Sequence, residues 1–184
     1  MEITRNNNNT KTALLKFYRT ELLNDLDQYG FVEGDVQRAD AAHLEHGKHQ
    51  TQDITQDGNI DMVTRWLDLE LSRCREWLYP FTKTPSVTGA ELDDTLGETG
   101  TYTIAMTVPE DFSDSTLQYL EQLIHHLLVW WVLWCWFSIT KPEGAEKWLA
   151  QAKQVEDEIK GALARGCGKV YRRMSPFDSG TVRR

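Results

Sequence analysis

Residues 113–139 read SDSTLQYLEQLIHHLLVWWVLWCWFSI, and within them Leu127–Phe137 is eleven consecutive apolar side chains. Ser113 stands where an N-cap belongs, and Leu117, Leu120, Ile124, Leu127 and Trp131 recur at helical spacing before the all-round apolar section begins. The segment is therefore expected to be a long helix buried on nearly every side. A membrane span needs about 18 to 20 predominantly apolar residues. The window from Leu123 to Ile139 has seventeen and includes His125, His126 and Ser138. A core helix, packed within the fold or between subunits, is the expectation. Trp130, Trp131, Trp134 and Trp136 point around the whole helix at about 100° per residue. More aromatic surface results than one small bundle is expected to cover, and tryptophan is enriched where protein surfaces meet. These four are the candidate subunit-interface residues.

Working outward from this helix, Thr140-Lys141-Pro142-Glu143 has capping-box spacing with proline in the first turn. The chain is thus expected to reverse at once into another helix with Trp148, Ala152, Val155, Ile159 and Leu163 as its stripe and Gly166 and Gly168 as its end. Upstream, Ile60, Val63, Leu67, Leu71, Cys74 and Leu78 step by three or four, predicting a helix from Asn59 to about Tyr79 that Pro80 stops. Leu14, Leu15, Tyr18, Leu22 and Leu26 predict a first helix over 13–29, ended by Gly30, and Asp35 is expected to cap a short second one carrying Val36, Ala39, Ala42 and Leu44. Residues 1–10, polar and Asn-rich, are expected to form a flexible arm. Thr101–Val108 alternates, with Tyr102, Ile104, Met106 and Val108 on one side, the period of a half-buried strand. Val87–Leu96 is its expected hairpin partner, an insertion at about 86–109. The fold class is mainly α: a five-helix up-and-down bundle over residues 11–165, with an inserted β-hairpin and an extended C-terminal tail over 166–184.

Composition narrows the function. The 184 residues hold 20 Lys and Arg against 28 Asp and Glu, a formal net charge of −8, which argues against a protein that coats nucleic acid through overall charge. The sign is uneven: residues 165–184 carry six bases and one acid, leaving −13 on residues 1–164. An acidic body with a basic tail is a partner-binding pattern. In that tail Tyr171, Met174 and Phe177 are apolar anchors among Lys169, Arg172 and Arg173, a composition that orders against a partner rather than alone. Cys74, Cys135 and Cys167 are an odd number without CxxC spacing and are expected to be reduced. With no signal-like hydrophobic segment at the N-terminus, the chain is expected to be made and kept inside the cell, with no membrane association.

No constellation carries catalysis. His43, His46 and His49 with Asp53 are the nearest approach to a metal site, but Gly47 interrupts the helix that would align them. Asp57-Gly58-Asn59-Ile60-Asp61 has alternating oxygen ligands like a calcium loop, yet Met62 stands where the sharp turn needs glycine. His125-His126 with Glu121 could supply a general base, without a nucleophile motif or phosphate-cradling loop beside it. The expectation is no enzyme, no metal and no cofactor. A small cytoplasmic metal protein or enzyme on the histidine cluster is the alternative from another class. A holin-like membrane factor using Leu123–Ile139 is a third.

The stretches QDITQDGNIDMVTRWLDLELSRCREWLYPFTK (52–83), SITKPEGAEKWLAQAKQVEDEIKGALARG (138–166) and VYRRMSPF (170–177) resemble a family of small virion-assembly proteins of gut bacterial phages and prophages. The order of parts is similar to that of phage head-to-tail connector (neck, or head-completion) proteins. The resemblance implies a structural virion protein made in the host bacterial cytoplasm and located in the virion neck. About a dozen copies would form a ring that contacts the portal protein and an adjacent neck or tail protein. DNA would pass through the channel without sequence-specific binding, and Lys169, Tyr171, Arg172, Arg173, Met174 and Phe177 would dock on the partner. Tail-completion proteins share this size and setting and are the nearest alternative.

Overall fold

The computed structural model describes residues 1–6, 8–36, 50–79, 81–82 and 100–166. Among the described residues, three antiparallel strands and four α-helices share one hydrophobic core. The chain opens with β1 (Glu2–Arg5) and β2 (Thr10–Tyr18), continues into α1 (Arg19–Val36), and passes a 3-10 turn at Asp53–Thr55. Then follow α2 (Ile60–Trp77), β3 (Thr101–Pro109), α3 (Asp114–Thr140) and α4 (Pro142–Gly166).

The N-terminal third corrects the sequence reading. Residues 10–18 are a strand, not the start of a helix. Lys11, Ala13, Leu15 and Phe17 are buried in alternation, and Leu14 is only half-buried. The leucine pair had suggested helical spacing because Leu15 on the strand and Leu22 and Leu26 on α1 face the same core. Nor are residues 1–10 a free arm. Glu2–Arg5 pairs with Lys11–Leu14, and in the connection between them Asn9 takes a positive φ of 53°, a conformation asparagine tolerates. Gly30 does not end α1. It is buried within the helix, where a Cβ would stand 3.1 Å from the Ile54 side chain and 3.5 Å from the Thr51 carbonyl. The glycine serves close packing of α1 on the 3-10 turn. Of the expected second helix only Asp35 and Val36 are described, as the end of α1; residues 37–49 lie outside the described residues.

β3 forms as read, with Tyr102, Ile104, Met106 and Val108 buried. Its partner is β2, in a register that sets Leu15 opposite Ile104, Ala13 opposite Met106 and Phe17 opposite Tyr102, so the two buried rows form one apolar face. The expected partner Val87–Leu96 lies outside the described residues. The outer side of β3 meets the end of α2: Arg75 donates to the Thr103 carbonyl at 2.8 Å and Thr107 N–H to the Phe81 carbonyl at 2.7 Å.

α3 is the axis of the molecule. It packs against α1, α2, α4 and β2, and Ser113 caps it by accepting from Thr116 N–H. The helix is long and apolar enough to cross a membrane by length and composition alone, though half of its most apolar window is buried inside the chain. It exceeds the seventeen-residue window of the sequence reading chiefly at its N-terminal end, where residues 114–122 add more polar turns. Thr140 remains its last residue, its hydroxyl bonding back to the Trp136 carbonyl, and Lys141 alone makes the turn into α4. Phe137 then stacks on Trp148 at 5.8 Å, and Tyr119 donates to Glu158 at 3.0 Å. The two helices therefore run antiparallel. Glu33, nearly buried at the end of α1, clips this turn by binding both Lys141 and Lys147.

Candidate interaction site on the central helix

Three helices present one face each to a common cleft. On α2, Glu70, Arg73 and Trp77 stand three and four residues apart; on α3, Leu127, Trp131 and Trp134; on α4, Leu149, Ala152, Lys153 and Glu156. Residues at these spacings lie one above another on a helix. α2 and α4 both pack on α3 but hardly meet each other, so the tryptophans of α3 floor a gap between them. The cavity there measures about 180 Å³.

Arg73 organises this cleft. Its guanidinium carbon lies 4.7 Å from the Trp77 ring centroid and 4.5 Å from that of Trp131, a cation held between two indoles. Its Nη1 donates to Glu70 Oε2 at 3.2 Å, and Nη2 stands 4.0 Å from Glu156 Oε2. Trp131 and Trp134 are in contact at 4.7 Å between centroids. The Glu70 side chain is fully buried. Burial pushes its carboxyl above the usual carboxylate range, and Arg73 opposes that rise only in part. Glu70 Oε1 and Trp131 Nε1 are both buried without a hydrogen-bond partner among the described residues. One turn on, burial raises the Cys74 thiol strongly; Cys135 on α3 is pushed up to about 11 for the same reason.

The four candidate tryptophans part company. Trp130, Trp131 and Trp134 are half-buried, Trp130 stacking on the His126 ring at 5.4 Å. Trp136 is only 5% exposed, and its indole N–H donates to the Thr51 carbonyl at 3.0 Å. It is a core residue of its own chain, because the segment entering α2 covers that side of α3. The tail residues Lys169, Tyr171, Arg172, Arg173, Met174 and Phe177 lie outside the described residues, as do His43, His46 and His49. Asp53 opens the 3-10 turn, where its carbonyl accepts from Asn59 Nδ2 and its carboxylate from Gln56. Among the described residues no group of His, Cys, Asp and Glu could hold a metal ion.

His125 and His126 have a role that the sequence did not disclose. His125 Nε2 lies 2.8 Å from Asp25 Oδ2, joining α1 to α3. Burial lowers the His126 pKa, and neighbouring His125 lowers it further. Glu121 accepts from the Lys16 backbone N–H at 3.0 Å and pairs with the Met1 ammonium at 3.0 Å, so it fastens the sheet to α3.

Glu70 and Arg73 were not singled out from the sequence. A signal was present, since Val63, Leu67, Glu70 and Cys74 fall on one stripe and a glutamate there must be paired or exposed. Comparison with family models, with curated proteins and with solved structures found no match for this chain.

Proposed function

We propose that this chain is a structural virion protein, a head-to-tail connector that assembles as a ring of about a dozen copies between the portal and the tail of a bacteriophage. The observation that supports this reading is the aromatic face of α3: Trp130, Trp131 and Trp134 are only partly buried on the helix that organises the core. A neighbour packing there would bury the apolar area that the chain itself leaves open, at little entropic cost. The charge distribution supports the same reading. An acidic body repels DNA passing through a channel, and the basic tail complements an acidic partner. The expected five-helix up-and-down order belongs to this proposal: α3 and α4 reverse through one residue, the short connection that antiparallel neighbours in such a bundle use.

Trp130→Glu and Trp134→Glu test the reading. An unpaired charge in an apolar contact costs far more than the packing it replaces. Each variant should fold, with a far-ultraviolet spectrum like the parent's, and fail to enter particles. Normal incorporation of both variants would refute a subunit contact on this face.

A further inference from the structure

Two surfaces of the molecule complement each other. Among the large apolar side chains exposed in the described residues, Phe31 and Val32 are the one adjacent pair, 57% and 58% exposed on the outer face of α1. Asp27 and Gln28 are exposed one turn before them on the same face. The charged side chains that α1 exposes, Glu21, Asp27 and Asp35, are all acidic. Asp27 accepts from the Thr55 hydroxyl at 2.9 Å, and a carboxylate keeps acceptor sites beyond one such bond.

The second surface is the cleft between α2 and α4, floored by Trp131 and Trp134. Each lip carries a cation: Arg73 on α2, 36% exposed, and Lys153 on α4, exposed. The acids that line it are already met, since Glu70 is fully buried beside Arg73 and Glu156 pairs with Lys160 at 2.6 Å. We propose that this cleft takes the outer face of α1 from a second copy of the chain, with Phe31 seated on Trp131 and Trp134 and Asp27 beside the cations of the lips.

Size and charge both select this occupant. The cavity is about 180 Å³, and an apolar cavity of about 150 Å³ is enough for benzene, so one phenyl ring fits against the indoles. An amphipathic helix laid in a groove between two helices is a recurrent mode of recognition. A cleft-to-cleft contact would instead set Arg73 and Lys153 against the same cations of the other copy, and would leave Phe31 and Val32 open. Because α1 lines no part of the cleft, the contact is heterologous. Each copy offers α1 to one neighbour and its cleft to the next, the relation that closes a ring. The inference deepens the connector reading by naming what covers two of its tryptophans, and rests on that reading for the ring.

The test is sedimentation of the full chain over a concentration series, beside Phe31→Glu and Trp134→Glu, each alone and the two mixed. Far-ultraviolet circular dichroism checks that both variants fold. Lys153→Glu, on an exposed side chain, repeats the cleft arm without touching the core. The parent should associate as its concentration rises. Phe31→Glu and Trp134→Glu should each weaken association about thirtyfold or more, and Lys153→Glu about tenfold. An equal mixture of Phe31→Glu and Trp134→Glu should form a heterodimer and nothing larger, because the first keeps its cleft and the second keeps its α1. A parent that is monomeric at every concentration overturns the proposal, as does a mixture that stays monomeric. Association of Phe31→Glu equal to the parent's also overturns it. When Trp134→Glu is monomeric in the same series, that result strikes the occupant alone and leaves the subunit contact of the connector reading standing. Failure of the connector reading itself is read separately, on particles.

Discussion

Leu14 and Leu15 are adjacent, equally apolar, and differ in what they hold together. Leu15 is fully buried, sits opposite Ile104, and belongs to the row Ala13, Leu15, Phe17 that seals the sheet against the core. Leu14 faces the other side of the sheet, half-buried, between Glu2 and Ala105. Leu15→Ala leaves a cavity in a close-packed interior, a change that typically costs about 2–5 kcal/mol. Leu14→Ala removes a half-covered side chain and should cost about 1 kcal/mol. For a chain of this size the urea dependence is about 2 kcal/mol per molar. A loss of about 3 kcal/mol then moves the Leu15→Ala midpoint down by about 1.5 M, against about 0.5 M for Leu14→Ala. Urea unfolding followed by circular dichroism, with all proteins at one concentration so that any self-association is held constant, reads both numbers. A helix over these residues would place both leucines on or beside one stripe and make the two losses comparable. Equal shifts, or a larger one for Leu14→Ala, would refute the strand and the sheet built on it.

Two glutamates should give opposite pH signatures. Burial tends to raise the Glu33 carboxyl, but the ion pairs with Lys147 and Lys141 outweigh it and hold it below its usual value. Its contribution is therefore complete above the unfolded value of about 4.3 and is lost as pH falls through the lower folded value. Glu33→Gln should lower stability at pH 7 and flatten the acid limb. Glu70, raised by burial, works the other way: folding is favoured as pH falls through its raised value toward about 4.3, and Glu70→Gln should abolish that gain. Urea midpoints measured from pH 3 to 7 check both signs. Because burial raises the Cys74 and Cys135 thiols and the thiolate is the reactive form, iodoacetamide at pH 8 should modify both far more slowly in the folded protein than in urea. Equal rates, read by mass after digestion, would contradict that. On the connector reading, truncation after Gly166 should leave the thermal midpoint near the parent's and abolish docking to the portal side of the neck, and Arg172→Glu with Arg173→Glu should weaken that docking. Raised salt should weaken docking only in part, because Tyr171, Met174 and Phe177 are not screened.

Helices α2, α3 and α4 were legible because each carries an uninterrupted stripe and a clear stop. Val63, Leu67, Leu71 and Cys74 are buried as their spacing requires, and so are Trp148, Ala152, Val155 and Ile159. β3 was legible for the same reason at period two. β2 was not, because TKTALLKFY runs without a turn or cap into α1, and its apolar residues continue smoothly into Leu22 and Leu26. A strand followed immediately by a helix leaves no punctuation to read. The buried lysine on β2 also hid the alternation: Lys11 points inward because its ammonium meets the Phe112 carbonyl and Asp114. Such a satisfaction depends on residues a hundred positions away. The site divides in the same way. The tryptophan cluster announced itself, whereas the Glu70–Arg73 pair depends on α4 supplying Glu156 and on α3 placing Trp131 over the guanidinium. Trp136 could not be told from its neighbours, since only the packing of Thr51 against α3 sets it apart.

The most direct test of the connector reading is electron cryomicroscopy of the neck of purified particles whose genome encodes this chain. The account predicts a closed ring of this protein between portal and tail. In that ring Trp130, Trp131 and Trp134 of each copy should be covered by a neighbour, and residues 169–177 should reach onto the adjoining ring. Particles whose neck contains no density for the chain, or a ring in which the three tryptophans face solvent, would contradict it.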